Sequence, residues 1–225
     1  MRKEIINTLL EKSQTKQLVY DHTKEAFKEI KNILQDIVSS YNEELINADK
    51  RVLLEYRDRG VFEAEVRIAG DLLIFNMHSN IFEFPKDHQI WKTQGAQKSE
   101  LNTYAGVINI YNFLADSFKY NRAEDIGYMI GRIFINRNNK YFIEGRKEIG
   151  YTYPSFEDHA ISSEDLQKVI EGTLLFALKF DLLVPPIDKI QVVSVSQMKE
   201  RINKSKIQTG KRLGFNYNTD DNIYS

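Results

Sequence analysis

Residues 62–77, FEAEVRIAGDLLIFNM, decide the fold class, because they predict two β-strands joined by a tight turn. The first half alternates apolar and charged residues, which is the period-two pattern of a strand with one buried and one solvated face. Ala69-Gly70-Asp71 supplies turn residues, and we expect Gly70 to provide the positive φ of the hairpin. Residues 72–75 do not alternate, so the second strand is expected to be covered on both faces.

Short apolar segments of the same kind flank this hairpin. Most of the joints between them are too short for a helical crossover, so neighbouring strands are predicted to pair antiparallel. The seven predicted strands are residues 52–56, 62–68, 72–77, 81–84, 107–113, 128–135 and 141–144. We expect Gly131 to mark a bulge or a close approach, residues 136–139 to form a four-residue hairpin loop, and residues 86–102 to form the longest loop.

Two helices enclose the strand region in sequence. Residues 2–47 have apolar residues at three- and four-residue steps from Tyr20 onward, with a possible break at residues 12–17. Residues 163–184 form the second predicted helix, and its second half has so few polar positions that we expect burial on nearly all sides. This burial is expected to include Leu174, Phe176 and Leu178. The predicted fold is α+β, a mainly antiparallel β-sheet covered by a long N-terminal helix and a buried C-terminal helix.

Three segments follow from these patterns: an N-terminal helical segment (residues 1–50), a sheet with a packed helix (51–195), and a basic helix with a polar tail (196–225). A further strand is expected at 190–195. A continuous helix of residues 2–47 would be roughly 60–70 Å long at about 1.5 Å per residue, which exceeds the width of the sheet. Its first 15 residues are therefore predicted to contact a neighbouring copy or another protein. The predicted contact residues are Ile5, Ile6, Leu9 and Leu10.

Composition bounds the class of protein more than its function. Apolar residues make up 42% and charged residues 28% of the chain, the net charge is −1, and there is no cysteine. These values are typical of a globular protein that has neither disulfide bonds nor thiolate metal sites. Charges in the first 20 residues rule out an uninterrupted apolar signal core, and residues 174–184 are too short to span a bilayer, so a cytoplasmic location is predicted. The richness in Ile, Asn and Lys is common in low-GC microbes and their phages.

Catalytic patterns are weak. The spacing of Asp125, Glu144 and Lys147 differs by one residue from that of a metal-dependent nuclease, and strand alternation turns the last two to opposite faces. Glu63 and Glu65 share one strand face roughly 7 Å apart, a separation that suits acid–base chemistry. Charged side chains in a row are, however, more typical of a solvated sheet face.

The four histidines, at positions 22, 78, 88 and 159, share no metal-ligand spacing, so structural or exposed roles are expected. Residues 208–212 contain a Gly-Lys pair but lack the upstream glycine and the Ser or Thr of a phosphate loop. The sequence therefore predicts no catalytic residues, no metal site and no cofactor.

The C-terminal basic segment has the clearest charge pattern. Only Glu200 opposes its six cations, which could meet phosphates of nucleic acid or an acidic protein surface. A solvated helix face is the alternative, and base stacking is poorly supported because aromatic residues are nearly absent from the segment. The basic residues are Lys199, Arg201, Lys204, Lys206, Lys211 and Arg212.

The leading functional hypothesis is a non-enzymatic structural or interaction subunit of a homo- or hetero-oligomeric assembly, of which a phage particle component is one concrete case. The alternative is a small-molecule-binding or enzymatic α+β domain. Its pocket would lie between the sheet and the second helix. The predicted pocket residues are Trp91, Tyr104, Tyr111 and Tyr128.

Overall fold

The computed structural model describes residues 1–150, 156, 159–181, 194–196 and 199. The chain has two compact units, Met1–Phe180 and Asp181–Ser225. The account that follows concerns the first unit. In the second unit, Val195 is helical rather than the end of the predicted strand at 190–195, whose first four residues lie outside the described part.

The N-terminal helix is long but not uniform. It consists of α1 (Arg2–Thr8), a π-helical turn (Leu9–Ser13) and α2 (Gln14–Glu44). The helix does not break at residues 12–17, where a break was predicted, but widens at Leu9–Ser13. The apolar row of α2 packs on the sheet because its members recur at helical spacing. The buried apolar residues of α2 are Val19, Ala26, Phe27, Ile30, Ile33, Leu34 and Ile37.

The first strand begins later than predicted. Residues Lys50–Val52 form a 3₁₀ turn, in which the Asp49 carboxylate accepts a hydrogen bond from the Arg51 backbone N–H at 2.9 Å. The Asn42 side chain then bonds both the N–H and the C=O of Leu54 at 2.9 Å each. These bonds tie the segment to α2, so sheet pairing starts only at Glu55.

All strands of the sheet pair antiparallel, in the order β1-β2-β3-β5-β6-β7, and β4 pairs with the start of β5. This topology with its helices confirms the α+β fold. The strands are β1 (Glu55–Asp58), β2 (Glu63–Ile68), β3 (Asp71–Met77), β4 (Phe82–Glu83), β5 (Tyr104–Leu114), β6 (Tyr128–Asn136) and β7 (Tyr141–Gly145).

Two turns differ from expectation in their backbone conformation. Ala69, not Gly70, has the positive φ (49°) of the β2–β3 hairpin. The last backbone hydrogen bond of the β6–β7 hairpin runs from the Asn136 N–H to the Lys140 carbonyl at 2.9 Å, so it closes a loop of three residues, 137–139. The Asn136 side chain also accepts hydrogen bonds from the backbone N–H groups of residues 138 and 140. Asn139 has φ 56°, as expected for a three-residue hairpin loop.

The predicted bulge is confirmed, since the β5–β6 register shifts between Ile110 and Tyr111, opposite Gly131.

The connections contain short helices: α3 (Gln94–Lys98), α4 (Ala115–Lys119) and 3₁₀ turns at Gln89–Lys92, Glu100–Thr103 and Lys147–Ile149. The last helix, α5 (Ser163–Lys179), starts with a reciprocal capping box between Ser162 and Asp165.

The prediction for the second half of α5 is wrong in part. Leu174 is buried, but Phe176 is half-buried and Leu178 is 52% exposed. The helix packs by one face only, where Gly172 lies so close to the Glu148 carbonyl that an added Cβ would be 2.2 Å from its oxygen. It ends at Lys179, five residues before the predicted end.

Helices α2 and α5 cover one face of the sheet and enclose the main core. A smaller cluster lies on the opposite face, under the segment between β4 and β5. It consists of Ile90, Ala105, Val107, Phe134, Phe142 and Phe156, with Phe84 and Trp91 against it. The remainder of that face carries mostly polar side chains.

Candidate functional site: the outward face of the N-terminal helix

Helix α1 lies beyond the packed core. None of its residues is buried, whereas α2 buries residues from Thr15 onward. Between α1, the π turn and the sheet is an open cleft of about 540 Å³. The helix lines this cleft with polar side chains: Glu4, Asn7, Thr8, Glu11 and Lys12. The body contributes Glu83, Glu100, Leu101 and Tyr104.

The apolar residues of α1 and the start of the π turn face away from the cleft. Ile5, Ile6, Leu9 and Leu10 are 55, 44, 57 and 62% exposed. At about 100° per residue, the centre of this apolar stripe lies roughly 180° from the centre of the polar row. The helix is thus amphipathic in the reverse sense, with polar side chains toward its own domain and apolar ones toward solvent. We call these four residues the outward stripe.

The π-helical turn explains this orientation. Continuing the buried row of Val19 and Thr23 toward the N terminus at about 3.6 residues per turn would direct Ile5 toward the sheet. In the structure Glu4 and Asn7 line the cleft instead, and Ile5 is exposed. The wider turn at Leu9–Ser13 therefore rotates α1 by about one residue, or roughly 100°.

Tyr104 anchors the π turn to the sheet. The ammonium groups of Lys12 and Lys16 lie 5.5 and 5.3 Å from its ring centroid, a distance at which cation–π attraction operates. The Tyr104 hydroxyl donates to Glu83 Oε2 at 3.2 Å. A hydrogen bond with Tyr104 is the main cause that raises the pKa of Lys12 above its ordinary value. These contacts fix the base of α1 while leaving its outward stripe free.

The structure describes little of the predicted basic segment. Lys199 is helical and exposed. The other five predicted residues, Arg201, Lys204, Lys206, Lys211 and Arg212, lie outside the described residues. Their role in partner or nucleic-acid binding stays a prediction.

The carboxylate pair on β2 is not arranged for acid–base work. Glu65 is only 5% exposed and lies 2.9 Å from the Arg59 guanidinium. Glu63 sits in register with Asn76 on β3. Arg67, next in the row, pairs with Glu55, and this bond is the largest cause that lowers the pKa of Glu55. Glu65 is thus held in a buried ion pair with Arg59, and the Glu55–Arg67 pair joins β1 to β2.

Three histidines have structural partners. His78 Nδ1 accepts from the Asn80 N–H at 3.0 Å, and its ring meets Phe82 edge-on. His22 Nδ1 lies 3.4 Å from the Asn136 carbonyl oxygen. His159 Nε2 lies 2.8 Å from Asp165 Oδ2, in the cap of α5.

A polar cluster that the sequence did not suggest lies on the open sheet face. Arg132 and Glu144 are cross-strand partners on β6 and β7, and the Arg132 guanidinium donates to Glu144 Oε2 at 2.5 Å. His88 Nε2 lies 3.8 Å from Glu144 Oε1, and His88 Nδ1 accepts from the Ile90 N–H at 3.2 Å. The neutral imidazole therefore carries its proton on Nε2, toward Glu144, and has no free lone pair to act as a base.

The nuclease-like residues do not meet. Asp125 accepts from the Ser117 hydroxyl at 2.7 Å and lies 3.8 Å from Arg122. Glu144 is engaged with Arg132 on the sheet, and the exposed Lys147 begins the 3₁₀ turn after β7. The weak nuclease-like spacing in the sequence therefore does not correspond to one cluster of these three side chains.

The four aromatic residues of the alternative pocket are dispersed. Tyr104 faces Lys12 and Lys16 of the N-terminal helix, whereas Tyr111, seven residues along the same strand, faces the opposite side of the sheet. Tyr128 is 60% exposed and contacts Phe180. Trp91 packs in the smaller cluster and donates to the Phe84 carbonyl at 3.0 Å. Strand alternation separates Tyr104 from Tyr111, and Trp91 lies in the turn Gln89–Lys92, so the four side chains do not line one cavity.

Within the described part of the chain, no three His, Cys, Asp or Glu side chains are grouped closely enough to hold a metal ion. Among the same residues no helix has both the length and the apolarity to cross a membrane. Comparisons with protein-family models, with curated proteins and with solved structures found no match for this chain.

Proposed function

We propose that this chain is a non-enzymatic interaction subunit that associates with a second copy of itself through the outward stripe of α1. The observation that carries the proposal is the reversed amphipathicity of this helix. Helix α1 is the unburied end of the long N-terminal helix, and it gains stability when its apolar face is covered. The domain of the same chain does not cover that apolar face, because the polar row of α1 faces the cleft.

A second copy is the occupant that the charges favour. The net charge of the chain is −1, so two copies approach each other without strong repulsion. The α1 segment and π turn also carry both signs, with Arg2, Lys3 and Lys12 against Glu4 and Glu11. A strongly acidic or basic partner has no matching surface beside the stripe.

The expected association is weak. Eight side chains would be covered in a dimer, each already half-buried, so each contributes roughly half of about 1.5–3 kcal/mol. The sum, roughly 6–12 kcal/mol, is similar to the roughly 4–15 kcal/mol that association costs. A dissociation constant in the micromolar range or weaker follows unless further residues join the interface.

The test is the mass of the full chain by sedimentation velocity over a series of concentrations. Ile5→Gln/Leu9→Gln should shift the self-association to higher concentration and leave the thermal transition in place, since neither side chain is in the core. The matched control is Ile46→Gln/Val52→Gln, which changes two apolar side chains that are 80 and 42% exposed elsewhere. Equal association by all three proteins would contradict the proposal.

A further inference from the structure

We infer that two copies pair through α1 as antiparallel helices related by a two-fold axis. This inference rests on the proposed self-association and adds the orientation of the partner. It follows from where the apolar and charged residues lie along α1 and around it.

The outward stripe is symmetric along the chain. Its four members occupy positions 5, 6, 9 and 10, which are placed evenly about the peptide bond between Asn7 and Thr8. A two-fold axis at that point sets Ile5 opposite Leu10, and Ile6 opposite Leu9. Each apolar side chain thereby meets an apolar side chain of the other copy, in a self-complementary interface that closes at two chains.

Arg2 decides between the antiparallel and the parallel arrangement. At about 100° per residue, Arg2 lies within roughly 10° of the centre of the outward stripe. A parallel pair would bring the two Arg2 guanidinium groups together, beside two Lys3 side chains. Like charges across an interface are strongly unfavourable, and the positive ends of two helix dipoles would add to them.

The antiparallel arrangement removes this conflict. Arg2 of one copy then lies near the neutral Ser13 of the other, and the two Arg2 residues are separated by roughly 16 Å along the pair, at about 1.5 Å per residue. Neighbouring helix dipoles oppose each other in the same arrangement. Lys12 stays with Tyr104 of its own sheet and does not enter the interface.

The absence of cysteine from the sequence makes a clean cross-linking test possible. Full-length Ile6→Cys and Leu9→Cys proteins are prepared, one of them labelled with ¹⁵N, mixed and oxidised. Disulfide formation requires Cβ atoms about 3.5–4.5 Å apart, so it reports facing positions. We expect the mixed 6–9 product to exceed either self-linked product, as measured by mass spectrometry. Ile46→Cys mixed with either protein gives the collisional background.

The outcomes separate the two claims. Dominant self-linking of the Ile6→Cys protein would establish a parallel pair and overturn the inference. Mixed product no greater than the Ile46→Cys background would also overturn it. If in that case wild-type mass still rises with concentration, and Ile5→Gln/Leu9→Gln prevents the rise, the proposed self-association stands without the antiparallel geometry. A wild-type chain that stays monomeric at every concentration removes both.

Discussion

Helix α2 lies very close to the sheet at Gly106, and Gly106→Ala tests this packing. A Cβ added at Gly106 would lie 2.0 Å from Thr23 Oγ1, 2.8 Å from its Cβ and 2.9 Å from its Cγ2. Thr23 cannot turn away easily, because it is fully buried and its hydroxyl donates to the Val19 carbonyl at 2.7 Å. The helix or the strand must therefore shift.

Overpacking of this kind costs about 1–3 kcal/mol, and sometimes more. The free energy of unfolding, measured by urea denaturation with circular dichroism, should fall by that amount. The melting temperature should fall by roughly 2–4 °C for each kcal/mol in a chain of this size.

Two further variants make the test specific. Gly95→Ala, at a position where the new Cβ would come only within 3.9 Å of Thr93 Oγ1, should leave the stability unchanged or slightly increased. Thr23→Gly/Gly106→Ala removes all three atoms that the new Cβ would contact, so it should recover part of the loss. A Gly106→Ala protein within about 0.5 kcal/mol of wild type would refute the close approach of α2 to β5.

Three other predictions follow from particular residues. Leu174→Ala should lower the free energy of unfolding by about 2–5 kcal/mol, whereas Leu178→Ala should change it by less than about 1 kcal/mol, because only Leu174 is buried; similar losses in both, by urea denaturation, would contradict the one-sided packing of α5. Burial raises the pKa of Asp71 above its ordinary 3.8, so the folded state favours the protonated carboxyl and loses that stabilisation as the pH rises through the raised value. The free energy of unfolding of Asp71→Asn should accordingly increase relative to that of wild type as the pH rises from 4 to 7. A difference between the two proteins that does not change with pH would contradict the raised pKa of Asp71. Deletion of Glu11 should convert the π turn to α-helix and rotate α1 by roughly 100°. The average mass in sedimentation velocity should then fall, although all four residues of the outward stripe remain. Association equal to that of wild type would show that the π turn does not orient the outward stripe.

Much of the fold was predictable from the spacing of apolar residues along the chain and from the residue types in the turns. The alternation in residues 62–68 and the tight turn after it are local signals, and the hairpin pairs as they indicate. The start of β1 was not predictable in the same way. Residues 52–54 have strand-like composition, yet Lys50–Val52 form a 3₁₀ turn and the backbone of Leu54 is held by Asn42, which is distant in sequence. A long-range hydrogen bond therefore overrides local propensity there.

Burial of α5 was overestimated for a related reason. Its composition is apolar almost throughout, but only the residues facing α2, the sheet and the 3₁₀ turn Lys147–Ile149 are covered. Apolarity alone does not reveal how many neighbours a helix has. The exposed Leu175 and Leu178 belong to the other face.

The candidate site was predictable in its residues but not in its orientation. The sequence alone indicates that the N-terminal helix is longer than the sheet. It also shows the four apolar residues near the start of that helix, Ile5, Ile6, Leu9 and Leu10. The π turn that directs them outward has no comparable sequence signal. The Arg132–Glu144 pair was missed because its prediction needs the register of β6 on β7. The β6–β7 loop was predicted with four residues instead of three, and this difference shifts every facing pair of the two strands by one position.

The most direct test of the central claim is the mass of the intact chain in solution as its concentration is raised. Self-association through the outward stripe predicts that the weight-average mass rises from 26.3 kDa toward twice that value, and that the rise moves to higher concentration in the Ile5→Gln/Leu9→Gln protein. A mass that stays at 26.3 kDa at every concentration, or a rise identical in wild type and variant, would contradict it.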